Sequence, residues 1–495
     1  MSDILLPEGV TIRNPDKVFI GGSWMKPATD KTITLINPNT EQPVGRVAEA
    51  VEADMDRAVE AARKAFDEGS WPSTSPAQRA KYLYLFAEAL KKREPEIAKA
   101  WTAQVGMLAA VAPFIVGGGA ASVAHMAAVT ERYEFEKSAP SSEANTAIIV
   151  REPVGVVAAI APWNAPFTIM LNKVVAALSA GCAIIMKPSP ETPLEAYIIA
   201  EAAEEIGLPP GVVNLVCGDR AASDHLVCNH GVDKVSFTGS TVAGKRIASV
   251  CGERIARCTL ELGGKSAAIV RDDYSTEDAA KLLTSTITIF SGQVCAMLSR
   301  ALVPRRRHDE LAEAIAGEMK KVKIGYSEDP ETMLGPLAMA RQRDRVEGYI
   351  AKGKETADLV TGGQRPSHLN RGYFVEPTLF ANVDNQSVIA QEEIFGPVLS
   401  LIPCEDEEDA IRIANESNYG LNGSVLTHDH DAAYAIARRM RSGGVAQNGM
   451  RADFSLPFGG FKQSGIGREG GAEGLAAYLE TKTILLDGAP AALAG

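Results

Sequence analysis

Apolar positions along the chain recur in two rhythms. Residues 53–67 (ADMDRAVEAARKAFD) and 77–105 carry them at helical spacing. Between 150 and 270 they gather into short runs that stop at Pro, Gly or Ser: VGVVAAIAP (154–162), CAIIMKP (182–188), GVVNLVCG (211–218) and KVSFTGS (234–240). Helix-like segments such as PLEAYIIAEAAEEIG (193–207) lie between the runs. This alternation predicts an α/β fold with a mostly parallel sheet covered on both faces. Such sheets bind ligands beyond the carboxyl ends of their strands. PWN, KPSP, CGDR and FTGS fall there. A second α/β region is expected over about 263–462, with strands at 266–270, 301–304, 397–403 and 423–427 and helices at 308–322 and 407–416. Two strand-like arms, 144–157 and 475–487, stand apart; they read either as edge strands within the chain or as strands that pair with another subunit.

At 495 residues the chain is long enough for roughly two to four domains. A core of that size needs no disulfide or metal staple. The net charge of −12 argues against a nucleic-acid partner, which demands a basic surface. A local site can still oppose that charge and hold an anionic cofactor. Seven cysteines, an odd number without CxxC spacing, read as free thiols of a reducing compartment. The N-terminus lacks a basic segment followed by an apolar one, and the apolar runs are short and interrupted, so a cytoplasmic protein without a membrane span is expected.

Several motifs carry chemistry. Residues 239–245 fit GxxxxGK, but Arg246 stands where a phosphate loop needs Ser or Thr, so a strand-to-helix turn is expected there. Such a turn still favours an anion at the helix N-terminus. No GxGxxG follows an early strand. Lys187 ends an apolar strand, either solvated or hydrogen-bonded to a ribose. Glu261 in LELGGKS (260–266) sits in an apolar frame; burial would raise its pKa and suit a general base, and a structural ion pair is the alternative. His428 and His430 in THDHD lie in a polar loop with no supporting ligands, so no metal site is expected. Cys295 in SGQVCA (291–296) is either a small buried hydrophobe or a nucleophile whose surroundings must lower its pKa.

The set resembles the aldehyde dehydrogenase superfamily across nearly the whole chain. The matching motifs are APWNAPF (161–167), MKPSPETP (186–193), FTGST (237–241), LELGGKS (260–266), GQVC (292–295), GYFVEPTLF (372–380), EEIFGPV (392–398), NYGLNGSV (418–425), PFGGFKQSGIGREGG (457–471) and YLETKTI (478–484). The resemblance implies a modified Rossmann cofactor domain (1–136 and 157–262), a second α/β catalytic domain (263–462), and a small β oligomerisation arm with the C-terminal segment (137–156 and 463–495). It implies that Cys295 attacks an aldehyde carbonyl, that Asn164 and the Cys295 backbone N–H hold the oxyanion, and that Glu261 activates the water that hydrolyses the thioester. Lys173 and Glu469 would form a proton relay. The cofactor, NAD or NADP, would meet Ile160, Ala161, Pro162, Trp163, Lys187, Ser189, Pro190, Glu191, Gly218, Arg220, Phe237, Gly239, Ser240, Leu262, Gly263, Glu393 and Phe395. The arms imply a homodimer or homotetramer.

The sequence departs from the family at the adenosine ribose. Many NAD-preferring members carry a glutamate three residues after the ribose lysine, and here that residue is Pro190, followed by Glu191. Arg220 could meet a 2′-phosphate or point to solvent. NAD is favoured and NADP left open. By position the substrate pocket comprises Ala165, Ile169, Ile289, Ala296, Met297, Met450, Phe454 and Phe458, which suits a medium-sized apolar aldehyde. Arg451 raises the alternative of a semialdehyde. Glu261 argues against a CoA-acylating enzyme, which needs no deacylating base. The joint presence of Cys295, Asn164 and Glu261 argues against a non-catalytic use of the fold.

Overall fold

A computed structural model describes residues 5–491. The first four residues of the expected 1–136 unit, and the last four of the 463–495 segment, lie outside the described residues. Two large sheets dominate. The first has eight strands in the order Gly465–Ile466, Arg257–Glu261, Lys234–Thr238, Val156–Ile160, Ala183–Lys187, Val213–Leu215, Val18–Ile20, Ser23–Met25. Its five central strands run parallel. Val156–Ile160, Ala183–Lys187 and Lys234–Thr238 are buried along their whole length. Helices cover both faces, so these strands read as unbroken apolar runs.

The second sheet has seven strands in the order Asp358–Thr361, Thr378–Ala381, Val398–Cys404, Leu298–Pro304, Ser266–Val270, Gly423–Leu426, Ala446–Gln447. Six adjoining strands, from Thr378–Ala381 to Ala446–Gln447, are parallel. The expected helices appear as His308–Met319 and Glu407–Asn415. The two arms pair with each other: Leu479–Leu486 runs antiparallel to Thr146–Pro153 from Leu479↔Pro153 to Leu486↔Thr146, and Glu136–Ala139 completes a three-stranded sheet. Gly465–Ile466 returns to the edge of the first sheet beside Leu260 and Glu261.

Two helical expectations change. Residues 77–105 form two helices, Pro76–Lys92 and Glu94–Val105, broken where Pro95 starts the second helix and removes a backbone donor. Ala112–Arg132 is a helix that amphipathic spacing does not reveal. By length and apolar composition it could cross a membrane, but it packs on Pro76–Lys92 and Pro166–Ala180 as a layer of the fold.

Candidate active site

Cys295 sits on a turn built under strain. After helix Thr276–Thr288, three successive residues take left-handed backbone angles: Phe290 (φ 50°), Ser291 (φ 54°) and Gly292 (φ 75°). Each non-glycine residue there costs about 1–2 kcal/mol. Packing offsets that cost. The Phe290 ring lies 5.3 Å from that of Trp101, Ser291 Oγ donates to the Gly335 carbonyl at 2.9 Å, and Ala338 N donates to Gln293 Oε1 at 3.0 Å. A Cβ on Gly292 would lie 2.2 Å from the Gly396 backbone, so only glycine fits. The turn leaves Cys295 half-buried at the junction of the two sheets. Asn164 approaches from the start of helix Pro166–Ala180. Its Nδ2 donates to the Gln293 carbonyl at 2.8 Å, and its own carbonyl accepts from Trp101 Nε1 at 3.0 Å.

Cys295 and Asn164 share a cavity of about 330 Å³ with Pro162, Trp163, Ile169, Gly239, Ser240, Leu262, Gly263, Glu393 and Phe395. Burial pushes the Cys295 thiol up to about 12, and the nearby carboxylates Glu393 and Glu261 act in the same direction. The Glu393 carboxyl is raised to about 7 by burial, although Gly264 N donates to its Oε1 at 3.0 Å. A Cβ on Gly263 would come 2.7 Å from that carboxyl.

Glu261 closes its strand with both carboxyl oxygens buried and without a hydrogen-bond partner. Burial, then repulsion from Glu469, raises its pKa well above the usual carboxylate value. Gly459 (φ 154°) makes room for it: a Cβ there would sit 2.5 Å from Glu261 Oε1. Behind Glu261, Lys173 pairs with Glu469 and donates to Thr238 Oγ1 at 2.8 Å.

A larger cleft of about 1090 Å³ adjoins the first, and Ser240 and Val242 line both. Ile160, Arg220, Phe237, Arg246 and Arg341 line its far part. Helix Thr241–Glu253 begins at the junction, capped by Ser240, whose Oγ accepts from Ala243 N at 3.3 Å. Five residues of the GxxxxGK stretch are thus already helical, and a phosphate loop is not formed. Lys187 is buried at its strand end, with a pKa lowered by desolvation. Ser189 bonds Glu191, and Glu191 pairs with Arg341 from the second sheet's helix Ala340–Thr356 at 2.5 Å.

The sequence model described as "Aldehyde dehydrogenase family" matches residues 24–484. The chain belongs to that family. It is an oxidoreductase acting on the aldehyde group. Geranial dehydrogenase of Castellaniella defragrans is 46% identical over 472 residues, covering 95% of this chain and 98% of that one. Among solved structures, Mycobacterium tuberculosis aldehyde dehydrogenase complexed with NAD+ is similar with a TM-score of 0.93 at 42% identity, covering 96% of this chain and 99% of that one. A mutant of aldehyde dehydrogenase C from Pseudomonas syringae, complexed with NAD+ and octanal, also has a TM-score of 0.93, at 37% identity, with 97% and 99% covered.

In this aldehyde dehydrogenase the expected residues divide among several places. Of the expected pocket residues, Ile169 lines the cavity of Cys295. Met297 is buried in the core of the second sheet, against which Ile289 and Met450 pack. Ala296 is also buried. Ala165 packs on the first sheet's core, and the Phe454 and Phe458 rings meet at 4.9 Å. Ala161 is buried, Pro190 is half-buried, and Gly218 packs against the Ala50 carbonyl, where a Cβ would come within 2.6 Å. Arg451 is exposed. His430 Nδ1 bonds Gln447 Oε1 at 2.9 Å, and the His428 ring lies 5.1 Å from that of Tyr274. Gln342, Arg345 and Tyr419 line the cavity without having been expected. Gln342 and Arg345 lie three apart on one helix face, a spacing visible in sequence, but the helix carries nothing to mark that face as functional.

Proposed function

We propose that this aldehyde dehydrogenase uses NAD to oxidise a medium-sized apolar aldehyde to its carboxylic acid, with Cys295 as nucleophile. The observation that carries the reading is the cavity that joins Cys295, Asn164 and Glu393 and continues into the larger cleft. The residues present fit the cofactor. The cleft meets a helix N-terminus, where unpaired N–H groups favour phosphate, and the missing side chain of Gly263 leaves a cradle beside Glu393. Ser240 and the Thr241 turn would hold the pyrophosphate, Lys187 the adenosine ribose and Glu393 the nicotinamide ribose. NAD+, when bound, supplies the hydride acceptor.

Cys295, once its thiol proton has passed to water, attacks the aldehyde carbon as the thiolate, forming a C–S bond while the carbonyl oxygen becomes an oxyanion. Asn164 Nδ2 turns from the Gln293 carbonyl to that oxygen, and the Cys295 N–H is the second donor. Two such donors are each worth about 3–4 kcal/mol in the transition state. Loss of hydride leaves a thioester on Cys295. Glu261, once ionised, takes a proton from water, the hydroxide adds to the thioester carbon, and the carboxylic acid leaves as the thiol reforms. Ile169 and Trp163 present apolar surface to the substrate, and Arg451, exposed, offers no carboxylate-binding group inside the cavity. Two of the named relatives, the geranial dehydrogenase and the enzyme crystallised with octanal, support an apolar aldehyde. The 1–136/157–262 and 263–462 units would serve as the cofactor and catalytic domains, and the protein works as a homodimer or homotetramer.

The test is initial-rate kinetics with aliphatic, aromatic, terpenoid and semialdehyde substrates, each with NAD and with NADP. Octanal and geranial should reduce NAD fastest. Cys295→Ala should lower the rate by at least about a thousandfold. Activity that survives this substitution would overturn the reading, and faster reduction of NADP would assign Arg220 to the 2′-phosphate.

A further inference from the structure

Beneath Glu261 lies a buried polar chain longer than the Lys173–Glu469 pair. Tyr478 is fully buried. Its carbonyl accepts from Val154 N at 2.9 Å and from Cys182 Sγ at 3.4 Å, and its own N–H donates to the Leu475 carbonyl at 3.0 Å, so its backbone is fixed at both peptide groups. Its hydroxyl lies 3.0 Å from Ser236 Oγ, and Ser236 Oγ lies 3.4 Å from Glu469 Oε1. Lys173 completes the set, reaching Glu469, Thr238 Oγ1 and Ser236 Oγ.

A phenol has one proton to give. If Tyr478 gives it to Ser236, the serine hydroxyl is turned to donate onward to Glu469. Burial and Glu469 raise the Tyr478 pKa well above its usual value, so the phenol stays a donor across the working pH range. Glu469 then receives a hydroxyl hydrogen bond and one from the Lys173 ammonium. Glu261, which receives none, faces Glu469, whose repulsion adds to burial in raising its pKa.

We propose that Tyr478 and Ser236 are positioning residues that hold the Glu469 carboxyl in place against Glu261 and so set the pH at which Glu261 gives up its proton. The inference rests on Glu261 as the deacylating base. The charged and titratable groups around the pair are Lys173 from helix Pro166–Ala180, Lys234 from the neighbouring strand, Arg468 beside Glu469, and Cys295, on which Glu261 acts. Lys234 Nζ lies 4.9 Å over the Tyr478 ring and donates to Thr259 Oγ1 at 2.6 Å. None of these groups separates Ser236 from Glu469. Without the Tyr478 hydroxyl, Ser236 loses its orientation and Glu469 is held less firmly against Glu261. Glu261 then ionises at lower pH.

The experiment follows hydrolysis of the acyl-enzyme formed when full-length protein reacts with p-nitrophenyl acetate, which isolates deacylation from the cofactor. Its rate is measured against pH for wild type, Tyr478→Phe, Ser236→Ala and Glu261→Gln, with acetyl on Cys295 monitored by mass spectrometry. Tyr478→Phe and Ser236→Ala should each move the acid limb down by roughly one pH unit. A limb that stays in place or moves up in either folded variant overturns the proposal. Ser236→Ala decides alone if Tyr478→Phe does not fold. Glu261→Gln should trap the acetyl group; if it hydrolyses like wild type, the base reading fails instead.

Discussion

Glycines beside the reactive carboxyls show how narrowly the site is made. At Gly459 both the backbone angle (φ 154°) and the approach to Glu261 Oε1 demand a missing side chain. Gly459→Ala should push the Glu261 carboxyl aside by a substantial fraction of an ångström. Thioester hydrolysis should fall by about tenfold to a hundredfold, with formation of the acyl-enzyme less affected. A pre-steady-state burst of NADH followed by slow turnover would show this, and a unimpaired steady state would refute it. In the resting state burial leaves both Cys295 and Glu261 disfavouring charge. In the proposed mechanism the charge on each group has therefore to be created during turnover.

Helices and strands differ in how openly they declare themselves. The parallel strands are buried on both faces, so their apolar runs stand out in the sequence. Helix Ala112–Arg132, with three successive glycines and apolar residues around its girth, offers no polar face to set a period. Helix Leu194–Glu205 hides a different cost. Glu195, in its first turn, is fully buried; Gln104 Nε2 donates to Oε2 at 2.9 Å, and Oε1 has no partner. Burial raises its carboxyl from 4.5 to about 8. The folded state therefore keeps a proton that the unfolded chain releases. Its contribution is fully present below about pH 4.5 and is lost as pH rises through about 8. Glu195→Gln, which cannot ionise, should gain on wild type by on the order of 2 kcal/mol between about pH 6 and about pH 8. Thermal midpoints of both proteins across that range would check it, and a constant gap would contradict it.

At the scale of the whole molecule, the three-stranded sheet is the feature that the chain leaves unfinished. Its outer strand, Leu479–Leu486, has eight residues and pairs on one side within the chain. Leu485, on that strand, is 53% exposed. An edge of this length and character invites pairing with another chain. In analytical ultracentrifugation the protein should sediment as a dimer or tetramer of its 52.5 kDa chain. A monomer at micromolar concentration would refute that. The two sheets meet at the site itself: Glu261 and Asn164 come from the first unit, Cys295 and Glu393 from the second, and the Glu191–Arg341 pair ties the two across the larger cleft.

The sequence by itself determined the α/β class, most central strands of the two sheets and the family, because buried parallel strands and short motifs are local patterns. The residues proposed to carry the chemistry came with the family resemblance. The family resemblance joined Lys173 with Glu469, 296 positions apart. Tertiary structure alone decided other distant meetings, such as Tyr478 with Ser236, 242 positions apart. Nothing in the chain near either partner encodes such a contact. Nor could the sequence say that Gln342 and Arg345 reach the cavity, or that Met297 falls into the core beside it. Those placements depend on how two independently built sheets pack against each other, and side-chain direction at a junction is set by packing from both sides.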